Sequence, residues 1–381
     1  MSTIKWSPTT AQMVNNAPGT IVVGSPGSGK TFALLNICAN CLGMGQKVIA
    51  IDPKNDFDKL YNVNHNIKII DVNKIRPGAL NPFEFLKNID EKGNIRHIDT
   101  PTLMTIIEIL TGKMDNKVKV AITPIVTDFV TRNKNSDEYV DMQDIAEYLY
   151  SRQSAEAQSI GTSLKMFQDS QYGKLLFTRE SDVKPLMLSA HDSMVISLHG
   201  MSLPDYTKKP EDYDANERFT SAIVYIICRK LLDILSGDNR IPTTLVCDEA
   251  HLLFSNKEMA ALIDKFLVIG RSLNVATVLA SQGISHFPDG IANYITTKFM
   301  FKSAVDDARQ FLEKFDTSKL GDPSNAIDVD SIIGAVTNFP TGTCFMIDRL
   351  NRNGIIKIKS IYDVKLLTSN PFDKKRDEEN E

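Results

Sequence analysis

The sequence predicts an α/β fold: a mostly parallel central sheet flanked by helices, with an all-helical insertion between its strands. Three observations predict it. A β-branched run, a glycine-rich loop and a helix-compatible segment follow one another from Thr20 to Cys41. A second apolar run follows that helix, which makes a βαβ unit, and βαβ units build parallel sheets. From about Thr100 to Phe177 apolar residues recur at helical spacing while strand signals are scarce, so this stretch reads as inserted helices.

The elements follow in order. Thr20-Ile21-Val22-Val23 suits a buried strand. Gly24-Ser25-Pro26-Gly27-Ser28-Gly29-Lys30-Thr31 reads G-x-x-x-x-G-K-T, the pattern of a phosphate-binding loop. Phe32 to Cys41 continues as a helix. After a Gly43-Met44-Gly45 turn, Lys47 to Asp52 is the second buried strand, and Asn66 to Val72 is a shorter one. Asn81-Pro82-Phe83 is expected to break regular structure. In the insertion, Leu103, Ile106, Ile107 and Leu110 mark one helix, and Ile122, Ile125, Val126 and Phe129 another. Strand patterning returns at Ser193 to Leu198. Polar Pro204 to Asn216 reads as a loop, and Phe219 to Leu235 as an amphipathic helix. Thr243 to Cys247, Val275 to Ala280 and Ile295 to Phe301 are further strands, and Thr343 to Asp348 with Gly354 to Ile361 is a closing hairpin. This divides the chain into a sheet domain (1–97 and 185–365), a helical insertion (98–184) and a mixed-charge, disordered tail (366–381).

Composition narrows the function classes. The chain has 381 residues, 42% hydrophobic and 24% charged, which is ordinary for a globular protein. A net charge of −4 excludes a uniformly basic nucleic-acid surface but leaves room for a local basic pore. No stretch approaches the ~20 apolar residues of a membrane span. Met1 to Asn16 is polar and lacks the apolar core of a secretory signal, so a cytoplasmic protein is expected. Five cysteines agree with a reducing compartment. Cys38-x-x-Cys41 has no second pair to complete a zinc site, and a buried, inert role fits it better.

The chemistry centres on the glycine loop. Its backbone N–H groups would point at the β-phosphate, and the helix that follows would add partial positive charge. Gly24 through Thr31 are therefore the candidate nucleotide-binding residues. Lys30 would reach the β- and γ-phosphates and the Thr31 hydroxyl would hold Mg²⁺. The apolar run Thr243 to Cys247 delivers Asp248-Glu249-Ala250-His251 at its C-terminal end. Asp248 is the second metal candidate. Glu249 is placed to polarise the attacking water as general base. Gln282, at the end of the next strand, is either a γ-phosphate sensor or a structural amide. Arg271, in Ile269-Gly270-Arg271-Ser272, is either an arginine finger reaching a neighbouring subunit or a residue favoured by a helix C-terminus. Arg309, Arg349 and Arg352 are other finger candidates. Asp-Glu-Ala-His also spells a helicase box, but no Gln-x-x-Gly-Arg-x-x-Arg element follows to mark a second lobe. No Asn/Thr-Lys-x-Asp guanine motif is present; Asn133-Lys134-Asn135-Ser136 lacks its Asp.

Taken in order, Gly24 to Thr31, Val48 to Lys54, Leu80-Asn81-Pro82-Phe83, the helical stretch, Leu245 to His251, Gly270-Arg271-Ser272 and Ala280-Ser281-Gln282 resemble the HerA/FtsK superfamily. Within it they look most like the type IV secretion ATPases of the TraC/TrbE conjugation class, and Gly342 to Arg352 also fits that class. The resemblance covers roughly Pro18 to Ile361. It implies a RecA-like P-loop NTPase using ATP and Mg²⁺. It further implies a ring motor, usually hexameric, working with secretion-channel or membrane-associated proteins, peripherally at the inner face of a membrane, with DNA as a candidate partner. Members usually carry a large N-terminal domain, whereas here the loop begins 23 residues after the start, as in an excised domain or a stand-alone relative. A stand-alone DNA translocase such as a viral genome-packaging motor, and a nucleotide-dependent switch or scaffold, are the competing readings.

Overall fold

The structure is a computed structural model. It describes residues 19–89, 95–112, 114–134, 138–178, 184–189, 191–205, 207–237, 241–254, 256–270, 272–315, 329–348, 352–360 and 362–368. The elements begin with β1 (Gly19–Val23), α1 (Lys30–Gly43), β2 (Lys47–Asp52), β3 (Lys68–Asp71), α2 (Pro82–Phe85), β4 (Asn88–Ile89) and β5 (Ile95–Arg96). The helices α3 (Thr100–Thr111), α4 (Asn116–Asn133), α5 (Met142–Tyr150) and α6 (Ala155–Gln168) follow. Then come β6 (Met194–Ser197), α7 (Ala215–Leu235), β7 (Thr243–Cys247), α8 (Lys257–Ile269), β8 (Val275–Ser281) and β9 (Ile295–Phe301). The last are α9 (Val305–Lys314), α10 (Val329–Val336), β10 (Thr343–Ile347), β11 (Asn353–Lys357) and α11 (Val364–Thr368).

Among the described residues, nine strands form one sheet in the order β11-β10-β9-β1-β8-β7-β2-β6-β3. From β9 to β3 every neighbouring pair is parallel. Only the pairs β10–β9 and β10–β11 are antiparallel, the second as the hairpin reading requires. The interior strands are buried on both faces, which explains why they read as continuous apolar runs without alternation.

The period of two still divides the strands between two cores. Ile21, Val23, Ile49, Ile51, Leu245 and Cys247 face one. Val22, Val48, Ala50 and Val246 face the other, with Leu34, Leu35, Cys38 and Cys41 of α1. The result is a three-layer α/β/α arrangement. All five cysteines are buried thiols. Burial pushes the Cys38 thiol well above its ordinary range and the Cys228 and Cys344 thiols up to about 12, so these are apolar packing groups rather than nucleophiles.

Helices α3 to α6 occupy the stretch with helical periodicity. They share one continuous core with the sheet face, joined through α7. Phe219 of α7 is fully buried, its ring 6.3 Å from those of Phe167 and Tyr172. Phe219→Ala is expected to destabilise the fold by about 3–5 kcal/mol, because the surrounding rings cannot collapse into the space. A chemical denaturation midpoint measures it, and an unchanged midpoint contradicts this packing.

Several details depart from the sequence reading. Asn81-Pro82-Phe83 starts structure rather than breaking it. The buried Asn81 carboxamide accepts from Phe83 N–H at 3.2 Å, capping α2, and donates to the Val140 carbonyl at 2.7 Å. Helix α7 starts at Ala215, inside the expected loop. Its cap is polar: Asp214 accepts from Glu217 N–H at 2.9 Å, and Glu217 Oε2 accepts from Asp214 N–H at 2.9 Å. Cap residues look like loop to a hydrophobicity reading. The short β4–β5 hairpin carried no strand signal. The expected tail begins inside α11, where Leu367 is buried; residues 369–381 lie outside the described residues.

Candidate active site

The glycine loop joins the end of β1 to α1 and is held by the two strands flanking β1. Gly24 N–H donates to the Ser281 carbonyl at 3.3 Å and Ser25 N–H to the Lys302 carbonyl at 2.7 Å. Gly27 and Gly29 have φ of +72° and +102°, conformations that side chains rarely adopt. The loop before β10 closes over it: Gly342 N–H donates to the Ser28 carbonyl at 2.9 Å, and Thr341 Oγ1 to the Gly27 carbonyl at 3.3 Å. A Cβ on Gly29 would sit 2.8 Å from the Gly342 nitrogen. Ser28 Oγ is buried without a hydrogen-bond partner among the described residues. An unsatisfied donor inside a cradle of positive-φ glycines fits an anion such as a phosphate.

Lys30 is the first residue of α1, and its ammonium folds back to donate to the Gly24 carbonyl at 2.5 Å and the Ser25 carbonyl at 3.1 Å. Burial pushes its pKa down, against the raising influence of Asp248 and Glu249. Thr31 Oγ1 donates to Asp248 Oδ2 at 2.7 Å. Two hard oxygens therefore meet at the mouth of the loop. Burial pushes the Asp248 carboxyl up to about 6, although the Thr31 hydrogen bond opposes it. A divalent cation would offset that uncompensated charge. Among the described residues no cluster of three or more His, Cys, Asp or Glu could hold a metal. A Mg²⁺ ion here would complete its shell from phosphate and water, as is usual for this ion.

The strand order decides what surrounds this pair. Strand β8 lies between β1 and β7, paired in parallel with both. Gln282, just past β8, is thereby set between the glycine loop and the Asp248-Glu249 pair. Its Nε2 donates to Glu249 Oε1 at 3.4 Å. Lys54, just past β2 on the other side of β7, also donates to Glu249 Oε1. His251 Nδ1 is 3.4 Å from Glu249 Oε2. Burial acts to raise the Glu249 carboxyl, but His251 and Lys54 outweigh it and hold it at about 2. Behind His251, the His286 ring lies 5.8 Å away edge-on, and its Nδ1 is 2.6 Å from Ser281 Oγ. Burial, reinforced by His251, pushes the His286 imidazole down. The groups frame a cleft of about 260 Å³ lined by Gly27, Lys30, Thr31, Lys54, Asp248 and Gln282.

A family model for the AAA-like domain matches residues 8–369. The chain belongs to the AAA-like domain family. No curated protein matches the sequence. Among solved structures, VirB4 of Thermoanaerobacter pseudethanolicus aligns with a TM-score of 0.71 at 15% identity, over 93% of this chain and 91% of that one. The bacterial conjugative coupling protein TrwBdeltaN70, in its sulphate complex, aligns at 0.52 with 14% identity, over 90% and 86%. The genome packaging NTPase B204 from Sulfolobus turreted icosahedral virus 2 aligns at only 0.38 with 10% identity, over 91% and 98%. At these identities the likeness shows a fold. It is the RecA-like P-loop NTPase fold that the sequence predicts.

Within this AAA-like domain the sequence-predicted residues Pro26, Gly27, Gly29, Lys30, Thr31, Asp248 and Gln282 line one cleft, and Glu249 is bonded to Gln282 and Lys54 beside it. Arg271 and Arg349 lie outside the described residues. Arg309 pairs with Asp330 at 3.3 Å. Arg352 Nε donates to Asp348 Oδ2 at 2.7 Å. Because β10 runs antiparallel to β9, Arg352 sits at the end of the sheet opposite the glycine loop. Sequence reasoning gave no role to Lys54 or to Thr341-Gly342. Lys54 had a signal, a polar residue at the C-terminal end of a parallel strand, where α/β sites gather. Gly342 entered only as the first residue of the Gly342 to Arg352 segment, and Thr341 carried no signal.

Proposed function

We propose that the chain is a Mg²⁺-dependent ATPase, the motor domain of an oligomer that powers type IV secretion or conjugative DNA transfer. The observation that carries the chemistry is the Thr31–Asp248 contact at the mouth of the glycine loop, with Glu249 and Gln282 beside it. The likeness to VirB4 supports the cellular role. Lys30 and the loop N–H groups bind the phosphates, and Thr31 and Asp248 hold the metal. Mg²⁺ supplies neutralisation of charge developing on the phosphates. Glu249 accepts the proton of the attacking water, and Gln282 orients that water. A neighbouring subunit is the natural source of a stabilising arginine. Arg271 is the first candidate, and a hexameric ring is the assembly this suggests. Its partners are secretion-channel proteins at the inner face of a membrane, with DNA as a candidate substrate. Among the described residues no helix is long and apolar enough to cross a membrane.

The test is phosphate release from ATP with Mg²⁺, with EDTA, and with duplex DNA added. Release that needs Mg²⁺ and falls to background in EDTA is expected. No release in Mg²⁺ by the purified chain, with ring assembly checked by negative-stain imaging, would refute the ATPase reading. Strong stimulation by duplex DNA would move the role toward a DNA translocase.

A further inference from the structure

Lys54 is a charged group of the cleft to which the phosphate-loop chemistry assigns nothing. It shares the cleft with Lys30, Asp248 and Gln282, and its ammonium is bound to Glu249 Oε1. The turn that presents it is fixed. Asp52 is fully buried, and its carboxylate accepts from Lys54 N–H at 3.1 Å and from Phe57 N–H at 2.8 Å. Asn55 follows at φ +63°, accepting from Ser197 Oγ at 3.1 Å and donating to Asp58 Oδ2 at 3.2 Å. The backbone of Lys54 is thus anchored to β2, β6 and the segment after β2. Its side chain is held only at the tip and is 48% exposed, whereas that of Glu249 is 5% exposed. A flexible stem on a fixed base can swing; the carboxylate it holds cannot follow it.

The charges of the cleft make that swing specific. Two ammonium groups, Lys30 and Lys54, lie among two carboxylates, Asp248 and Glu249. Lys30 stands at the glycine loop and would reach the β- and γ-phosphates. Lys54 stands on the Glu249 side of the same cleft, a second ammonium for a triphosphate to draw on. A terminal phosphate carries more charge than one carboxylate and offers more acceptor oxygens, so it competes well for an ammonium.

We propose that Lys54 is a triphosphate-sensing positioning residue: it pins Glu249 in the nucleotide-free state and moves to the terminal phosphate of a bound nucleoside triphosphate. That transfer frees Glu249 Oε1 for water only when a triphosphate is present. A diphosphate leaves the Lys54–Glu249 pair in place. The inference rests on the ATPase reading above.

Equilibrium binding of ATPγS and of ADP, both with Mg²⁺, to the full chain tests it. Lys54→Met is expected to weaken ATPγS about tenfold, the worth of one charge-assisted hydrogen bond, and to leave ADP unchanged. Lys54→Arg should restore the ATPγS affinity, which a merely structural role would not require. Equal loss for both nucleotides, or loss for neither, overturns the proposal. Thermal unfolding establishes that the variants are folded. If Lys54→Met is not, Glu249→Gln tests the same competition from its other side. Removing the carboxylate charge that holds the ammonium should tighten ATPγS severalfold and leave ADP alone; no change overturns the proposal. A wild-type chain that binds neither nucleotide overturns the ATPase reading together with this one. Wild-type binding with an unmoved ATPγS-to-ADP ratio in Lys54→Met overturns only the sensor.

Discussion

Glu249→Gln is expected to abolish steady-state ATP turnover while the chain still binds ATP. The carboxylate is buried beside the Thr31–Asp248 pair and is held by Lys54, Gln282 and His251. The amide keeps the shape and the neighbouring hydrogen bonds but cannot take a proton from water. Losing a positioned general base costs on the order of 10²–10⁴-fold in rate. In the proposed reading the phosphates are held by Lys30 and the loop backbone, which the substitution does not touch, and loosening Lys54 from the carboxylate should tighten a triphosphate rather than weaken it. Phosphate release and nucleotide binding, measured on the same preparation, separate the two effects. Turnover at the normal rate would remove Glu249 from the chemistry.

Gly29→Ala is expected to lose nucleotide binding and stability together. At φ +102° a Cβ is strained by about 1–3 kcal/mol. It would also meet backbone, 2.8 Å from the Gly342 nitrogen and 3.0 Å from its Cα. Backbone that is itself bonded to Ser28 cannot yield as a flexible side chain would. The loop and the segment before β10 would have to part, and the cradle would open with them. A loss of at least tenfold in ATP affinity follows if about 1.4 kcal/mol of this strain falls on the binding-competent loop. Gly27→Ala is the internal comparison for stability. Its φ is +72°, but nothing lies within 4 Å of the added Cβ. Denaturation should therefore show Gly29→Ala as the more damaging of the two. Equal damage would mean that the Gly342 contact does not hold the loop.

These two positions differ in how they could be foreseen. Glu249 was legible because an apolar run ending in Asp-Glu, downstream of a phosphate loop, would supply the metal ligand and the base that the loop lacks. Gly29 was legible as a motif glycine, but its reason was not: the partner is Gly342, 313 residues away (342 − 29). Gln282 was ambiguous between sensor and structural amide. A strand tip can be predicted from its own residues; which strands stand beside it cannot. Lys54 appeared only as the last residue of the Val48 to Lys54 segment, because an ion pair across β7 leaves no local mark. The capped start of α7 and the Asn81 cap of α2 escaped the sequence reading for a related reason, since polar residues that end a helix look like those that fill a loop.

By itself the sequence determined the main sheet strands, the inserted helices, the parallel character of the sheet, the glycine loop, and the acidic pair that points to hydrolase chemistry. All of these rest on local pattern: the periodicity of burial, the residues a tight anion-binding loop requires, and the end of an apolar run. Only the tertiary structure decided that β8 lies between β1 and β7, that Thr31 meets Asp248, that Thr341-Gly342 closes over the loop, and that Lys54 holds Glu249. Each of these joins residues far apart in the chain. Such contacts depend on strand order and on which side chains share a cleft, and no short window of sequence carries that information.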